Sequence, residues 1–395
     1  MDGMTRSGPA GAVWRRRAGM TAFFLSGICS LSAGILVSLL RDSLGLSYGF
    51  SGALVSVMSA GNMLALLTSG VLPAKLGERA TAILLTPGYC LGSLVLALTG
   101  LPRLLAAAVL LVGVAKGATA NKCTLLVGSG ARDKSRALSL MNAWYALGAL
   151  LCPFLIAALS HGPRGLPMAG VSTAGLLLWL TFCFSGLPGK TATPAEGEKT
   201  GSASFLKSGI FWTLTLLLLC HNAAESTVNG WVVTWYKGEG ILTGAPAAYT
   251  VTVQWAMTLA ARLMLVYVIR PGRPWRTLTV MGVGLTAAYA LMLRLRSPLA
   301  ALMALGLFAF SMAGFYPIGV AGIGEMMSAA SVGTMLALAA LGGILFPALV
   351  GLVADTAGLT AGMAVNLLPC LALILLPARL ERHSAGHPRK GRQRT

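Results

Sequence analysis

Twelve apolar runs, each about long enough to cross a bilayer, follow one another along nearly the whole sequence. A helix needs about 20 consecutive apolar residues to span the hydrocarbon core. By that ruler the runs fall near 18–40, 49–70, 81–99, 103–126, 137–160, 166–187, 209–233, 246–269, 275–294, 298–321, 329–353 and 357–377. No water-soluble core has room for so much continuous apolar helix. Only 10% of the 395 residues are charged, against about 25% in a soluble domain. The expected fold class is therefore an all-α membrane protein with twelve transmembrane helices. Most connections are too short to hold a catalytic domain, so no enzyme is expected.

The charge is lopsided, with 30 Lys and Arg against 11 Asp and Glu, a formal +19. A nucleic-acid binder would carry such charge on a polar, solvated face. Here the bases sit in the gaps between apolar runs, so nucleic acid is not an expected partner and the lipid bilayer is. Counting them sets the orientation. With the N-terminus inside, 21 bases fall in cytoplasmic segments, among them Arg15, Arg16, Arg17, Lys75, Arg79, Arg132, Lys199 and Arg273. Six fall outside (Arg41, Arg103, Arg164, Lys237, Arg294 and Arg296), and Lys116, Lys122 and Arg262 lie within runs. The positive-inside rule then places both termini in the cytoplasm of a multi-pass protein of the inner, cytoplasmic membrane. The first run, at about 23 residues, exceeds the 7–15 of a signal-peptide core, so it is expected to remain as an anchor.

One polar connection is longer than the rest, from 188 to 207, rich in Thr, Gly, Ser and Pro. It divides the chain into a first six-helix bundle (1–187), the linker (188–207), a second six-helix bundle (208–378) and a basic tail (379–395) placed against anionic lipid. A single chain so divided is expected to act as a monomer. No cofactor is expected: there is no phosphate-binding Walker loop, and His161, His383 and His387 lack zinc-ligand spacing. Cys29, Cys90, Cys123, Cys152, Cys183, Cys220 and Cys370 all fall in or at the ends of apolar runs without a CxxC pair, as buried small side chains do.

The loop after the second run reads Gly70-Val71-Leu72-Pro73-Ala74-Lys75-Leu76-Gly77-Glu78-Arg79. It resembles the G-x-L-x-D-R-x-G-x-R signature of the major facilitator superfamily, with Gly70, Lys75, Gly77 and Arg79 as the expected cytoplasmic gating residues. The Asp of that signature falls on Ala74, so its charge relay does not carry over. The loop from Arg270 to Arg276 is a weak second copy. Two six-helix halves joined by a cytoplasmic linker also match the superfamily's layout. Within it, Glu225-Ser226-Thr227-Val228-Asn229-Gly230-Trp231 with Tyr236, and the stretch from Ala137 to Pro153, resemble the fucose-permease-like branch. That resemblance implies alternating access and uptake of a sugar or polyol with protons. The acids of the fucose permease in its first and fourth helices are absent: Asp42 lies at the rim of the first run, and the fourth carries Lys116, Asn121 and Lys122.

The ionisable groups inside the runs remain to be read on physics. Each costs at least about 2.5–3.5 kcal/mol at mid-bilayer, so such groups usually face a wet cavity. Glu225, about 15 residues into the seventh run, is the one acid well inside. His221, Glu225 and Asn229 recur every four residues and share a helix face, with Asn222 beside it. Both a structural ion pair and solute or proton handling fit this row. The superfamily arrangement puts Lys116 opposite Glu225 across a central cavity, their backbones about 8 Å apart in depth. Lys122, nearer the cytoplasmic end, is expected to snorkel, and Arg262 is either a gate or a solute contact. The candidate site is thus Glu225, Lys116, His221, Asn222, Asn229, Trp231, Asn121 and Arg262, for a small-molecule solute and protons. Its positive balance also admits a sugar acid or other carboxylate. Efflux of drugs or metabolites by proton antiport is the alternative. Gly148 to Pro153 faintly resembles the antiporter pattern, but Cys152 stands where a glycine is expected, and the excess acid that lipophilic cations favour is missing.

Overall fold

Apolar runs in lipid leave the backbone no hydrogen-bond partner but itself, so helices are the only economical solution. The computed structural model describes residues 9–68, 71–128, 134–163, 165–187, 206–265, 267, 273–324 and 329–385, and no strand occurs among them. The helices are α1 (Pro9–Leu44), α2 (Tyr48–Thr68), α3 (Val71–Leu76), α4 (Glu78–Leu85), α5 (Gly88–Leu98), α6 (Pro102–Gly128), α7 (Lys134–Leu159), α8 (Leu166–Phe184), α9 (Gly209–Gly238), α10 (Tyr249–Met264), α11 (Pro274–Arg294), α12 (Pro298–Met312), α13 (Phe315–Gly324), α14 (Ala329–Ala357), α15 (Leu359–Ala364) and α16 (Leu367–Ala385). Proline opens α6, α11 and α12, where its missing N–H costs nothing.

Three of the expected runs are single spans broken once. Thr86-Pro87 separates α4 from α5, Ala313-Gly314 separates α12 from α13, and Val365-Asn366 separates α15 from α16. The Pro87 ring and missing N–H account for the first break. Among the described residues ten stretches are long and apolar enough to cross a membrane: Gly11–Leu44, Tyr48–Thr68, Glu78–Leu98, Pro102–Gly128, Leu140–Leu159, Leu166–Phe184, Pro274–Arg294, Pro298–Gly319, Thr334–Ala357 and Leu359–Arg382. The other two expected spans correspond to α9 and α10. The first is long enough, about 45 Å for its 30 residues, but is diluted by His221, Asn222, Glu225 and Asn229. The second is described over Tyr249–Met264, while 266 and 268–272, at the end of the expected run, lie outside the described residues. Residues 188–205 of the expected linker and 386–395 of the tail lie outside the described residues.

Helix contacts are close where glycine permits. Gly148 of α7 lies against the Phe24 carbonyl of α1, Gly113 of α6 against Met58 of α2, and Gly342 of α14 against Leu219 of α9. At each, a Cβ would collide with backbone, the small-residue logic of membrane helix packing. Through such seams α1, α2 and α5–α8 pack on one another, and α9–α12, α14 and α16 on one another. The two groups meet along α2–α14, α7–α10 and α1–α9. The outer faces are apolar: Leu84, Leu98, Val280, Leu299, Met303 and Leu375 each expose more than 60% of their surface. That much scattered exposure is adverse in water and neutral in lipid.

Lys122 corrects an expectation. It does not snorkel: its side chain is 4% exposed and its Nζ is ion-paired to Glu78 at the start of α4. Packing of α4 on α6 brings the two together. A lysine has no reason to reach for the interface when a carboxylate is supplied within the protein.

Candidate functional site

A cavity of about 270 Å³ lies between the two groups of helices. The row predicted on α9 supplies one wall: His221, Asn222, Glu225, Ser226 and Asn229 all line it. From α6 comes Lys116, from α1 Ser30 and Ser32, from α7 Asn142 and Tyr145, from α10 Trp255 and Arg262, and from α13 Tyr316. The one internal acid and two of the three internal cations, Lys116 and Arg262, all from different helices, therefore share one space.

Within α9, His221 Nε2 stands 3.6 Å from Glu225 Oε2, the i,i+4 spacing made real. The imidazole is buried and stacks near Phe315 and Tyr316, with ring centroids 6.4 and 6.0 Å away. Glu225 keeps 29% of its side chain exposed to the cavity. Among the described residues no ion pair joins it to Lys116 or to Arg262. Each of the lining carboxamides makes one hydrogen bond within the protein. Asn229 Oδ1 accepts from Gln254 Nε2 at 2.9 Å, Asn222 Nδ2 donates to the Ala339 carbonyl at 3.0 Å, and Asn142 Nδ2 donates to the Leu138 carbonyl at 2.9 Å. Arg262 Nε, Trp255 Nε1 and His221 Nδ1 are buried without a hydrogen-bond partner.

Two expected site residues lie elsewhere. Trp231 is buried outside the cavity lining, its indole N–H donating to the Pro347 carbonyl at 3.1 Å, so it binds α9 to α14. Asn121 is also absent from the lining, with a buried amide nitrogen that has no partner. Of the expected gating residues, Gly70 lies outside the described residues. Gly77 turns the chain between α3 and α4 with φ of 88°, a conformation that favours glycine. Lys75 is exposed, and Arg79 Nη2 donates to the Cys183 carbonyl at the end of α8, 3.2 Å away. Sequence reasoning passed over Tyr145, Trp255 and Tyr316 because an aromatic in an apolar run carries no periodic signal. Asn142 and Ser30 were findable as polar residues within spans.

At the end where α1 finishes and α2 begins, contacts across the two groups are dense. The Asp355 carboxylate of α14 accepts N–H bonds from Tyr48 and Gly49 at the start of α2, at 2.8 and 2.7 Å. Lys237 Nζ pairs with Asp42 at 3.2 Å, Thr252 Oγ1 donates to the Leu150 carbonyl at 3.2 Å, and Phe154 meets Tyr249 at 5.0 Å between centroids.

Membrane-length helices enclosing a polar, charged cavity define the class as a polytopic membrane protein with a central site. Residues 19–340 match the profile of the Major Facilitator Superfamily, and the chain belongs to that family. It is a multi-pass membrane protein of that transporter family, not an enzyme. A gallate transporter of Pseudomonas putida is 30% identical over 155 residues, covering 37% of this chain and 34% of that one. An uncharacterized MFS-type transporter of Yersinia pestis is 35% identical over 96 residues, covering 24% and 25%. These matches thus span only about a third and a quarter of the relatives' own lengths. The fold is similar to the crystal structure of the nucleoside transporter NupG (TM-score 0.73, 14% identity, 95% of this chain and 99% of that one). It is also similar to a bacterial homolog of the human lysosomal transporter Spinster in an inward-facing, unoccupied conformation (TM-score 0.72, 12% identity, 97% and 100%).

Proposed function

We propose that this chain is a twelve-span, proton-coupled uptake carrier of the cytoplasmic membrane that works by alternating access, with both termini in the cytoplasm and a six-helix bundle in each half. One observation carries the reading: Glu225, the single acid of the central cavity, shares that cavity with Lys116 and Arg262 and with the imidazole of His221. The neutral and ionised forms of a carboxyl in such a place favour different contacts between the halves. A proton entering from outside would neutralise Glu225 and ease return of the loaded cavity. The solute is small and polar, in the sugar, sugar-acid or carboxylate range. The partial likeness to a gallate transporter and the fold likeness to a nucleoside transporter favour a solute with a ring. The fucose-permease-like branch remains our assignment on the α7 and α9 stretches alone. Efflux by antiport draws no support from a cavity whose fixed charge is net positive.

Reconstituted protein under an inward proton gradient tests the coupling. Glu225→Gln should abolish gradient-driven accumulation while sparing solute exchange and leaving the protein monodisperse. Accumulation equal to that of the parent would remove Glu225 as the coupling group.

A further inference from the structure

Resting on the carrier reading, we propose that the solute is a small carboxylate anion bearing an aromatic ring, its carboxylate held by Arg262 and its ring placed against the Trp255–Tyr145 pair. Arg262 and Trp255 are seven residues apart on α10, two turns along one face, and both line the cavity. Each has a buried nitrogen without a partner, Nε of Arg262 and Nε1 of Trp255. Buried donors are rarely left so in a finished site, and a carboxylate oxygen brought to Arg262 would complete the one there. The guanidinium fork matches a carboxylate in a way that a hydroxyl does not.

Charge points the same way. Lys116 and Arg262 face the cavity without an ion-pair partner among the described residues, and Glu225 is the sole lining acid. A monoanion balances the excess; a neutral sugar leaves it. Asn229, Asn222 and Asn142 each make one hydrogen bond to the protein, so part of the lining's neutral polar capacity is already engaged. Beside the serines and these amides the cavity offers cation and aromatic surface. Tyr145 and Trp255 meet edge to face at 5.4 Å and 65°, and Phe23 packs on Tyr145 at 4.9 Å, an arrangement that can extend to a third ring. At about 270 Å³ the cavity lies just below the roughly 300–1,000 Å³ usual for ligand sites, which suits a single ring. Tyr145 belongs to α7 and Trp255 to α10, so a ring laid against the pair touches both halves.

Counterflow in proteoliposomes, with benzoate, cyclohexanecarboxylate, benzamide, glucose and uridine each loaded in turn, tests the class. Benzoate should exchange at least about tenfold faster than benzamide, which lacks the charge, and several-fold faster than cyclohexanecarboxylate, which lacks the ring. Arg262→Gln should bring benzoate down to the benzamide level, with Arg262→Lys intermediate. Trp255→Leu should erase the preference for benzoate over cyclohexanecarboxylate, and Trp255→Phe should retain part of it. Gel-filtration behaviour of each variant separates misfolding from loss of recognition. Exchange of glucose or uridine without benzoate would overturn the proposed class and leave the carrier reading intact. Exchange of no solute in the panel by well-folded protein would overturn both.

Discussion

Lys116 and Glu225 line one cavity from different helices, yet no ion pair joins them among the described residues. Their coupling therefore runs through the cavity rather than through a contact. A buried pair in contact loses about 3–5 kcal/mol when one partner is removed. An exposed or water-separated pair loses under about 1 kcal/mol. Lys116→Ala is accordingly expected to shift the thermal midpoint of the detergent-solubilised protein by only a few degrees. Its effect should appear in transport, as a fall in exchange rate of about tenfold or more, because the fixed positive charge opposite Glu225 is gone. Adding Glu225→Gln to Lys116→Ala should leave the midpoint where the single variant puts it. A loss of stability of several kcal/mol in Lys116→Ala, recovered in the double variant, would mean that the two side chains touch in the folded protein after all.

Among the elements, α4 and α6 present the opposite case. Glu78 and Lys122 are in contact, with side chains 23% and 4% exposed. Glu78→Gln strands a buried ammonium and should cost about 1–3 kcal/mol, discounted from the fully buried range because Glu78 is partly wet. Lys122→Met combined with Glu78→Gln should recover most of that loss, as apolar replacement of buried pairs does. Thermal unfolding in detergent measures both; a double variant less stable than Glu78→Gln alone would rule the account out. The pair also shows where sequence reading stops. The helical runs were legible because twenty apolar residues have few other uses, and the row His221, Glu225, Asn229 was legible because it repeats with the helix. That Glu78 would meet Lys122, that Trp231 would face Pro347 rather than the cavity, and that Tyr145 would meet Trp255 depend on which faces of separate helices come together. No spacing within one helix encodes that. The break at Ala313-Gly314 was hidden for a related reason, since a glycine in an apolar run costs only about 1 kcal/mol and need not interrupt it.

For the whole molecule, the bonds between the two helix groups gather toward the end where α2 begins and α14 finishes: Asp355 on the amides of Tyr48 and Gly49, Lys237 on Asp42, and Phe154 on Tyr249. Under the proposed topology that end is external, so the described state is closed outside. Asp355 does its part through a carboxylate on a helix N-terminus, a favourable charge–dipole contact. Asp355→Asn should weaken this closure and shift population outward. A thiol placed at Ser59, which lines the cavity, should then react several-fold faster with an impermeant maleimide added from outside. Equal labelling in the two backgrounds would show that Asp355 does not hold the closed state. Orientation itself is checked by reporter fusions: Glu198 and the C-terminal tail should read cytoplasmic and Glu239 external, and an external tail would break the twelve-span count.

The polarity that makes α9 and α10 the core of the site also bears on how the chain is made. α9 leaves the ribosome with His221, Asn222, Glu225 and Asn229 inside it, which weakens its own preference for lipid, and α10 follows after about ten residues. The first should not commit to the bilayer alone. Synthesis halted after Gly238 should leave α9 accessible to the aqueous side of the translocon, whereas a chain extended through Arg294 of α11 should carry both into lipid together. Biogenesis would then include a checkpoint at mid-chain, set by the same side chains that later greet the solute.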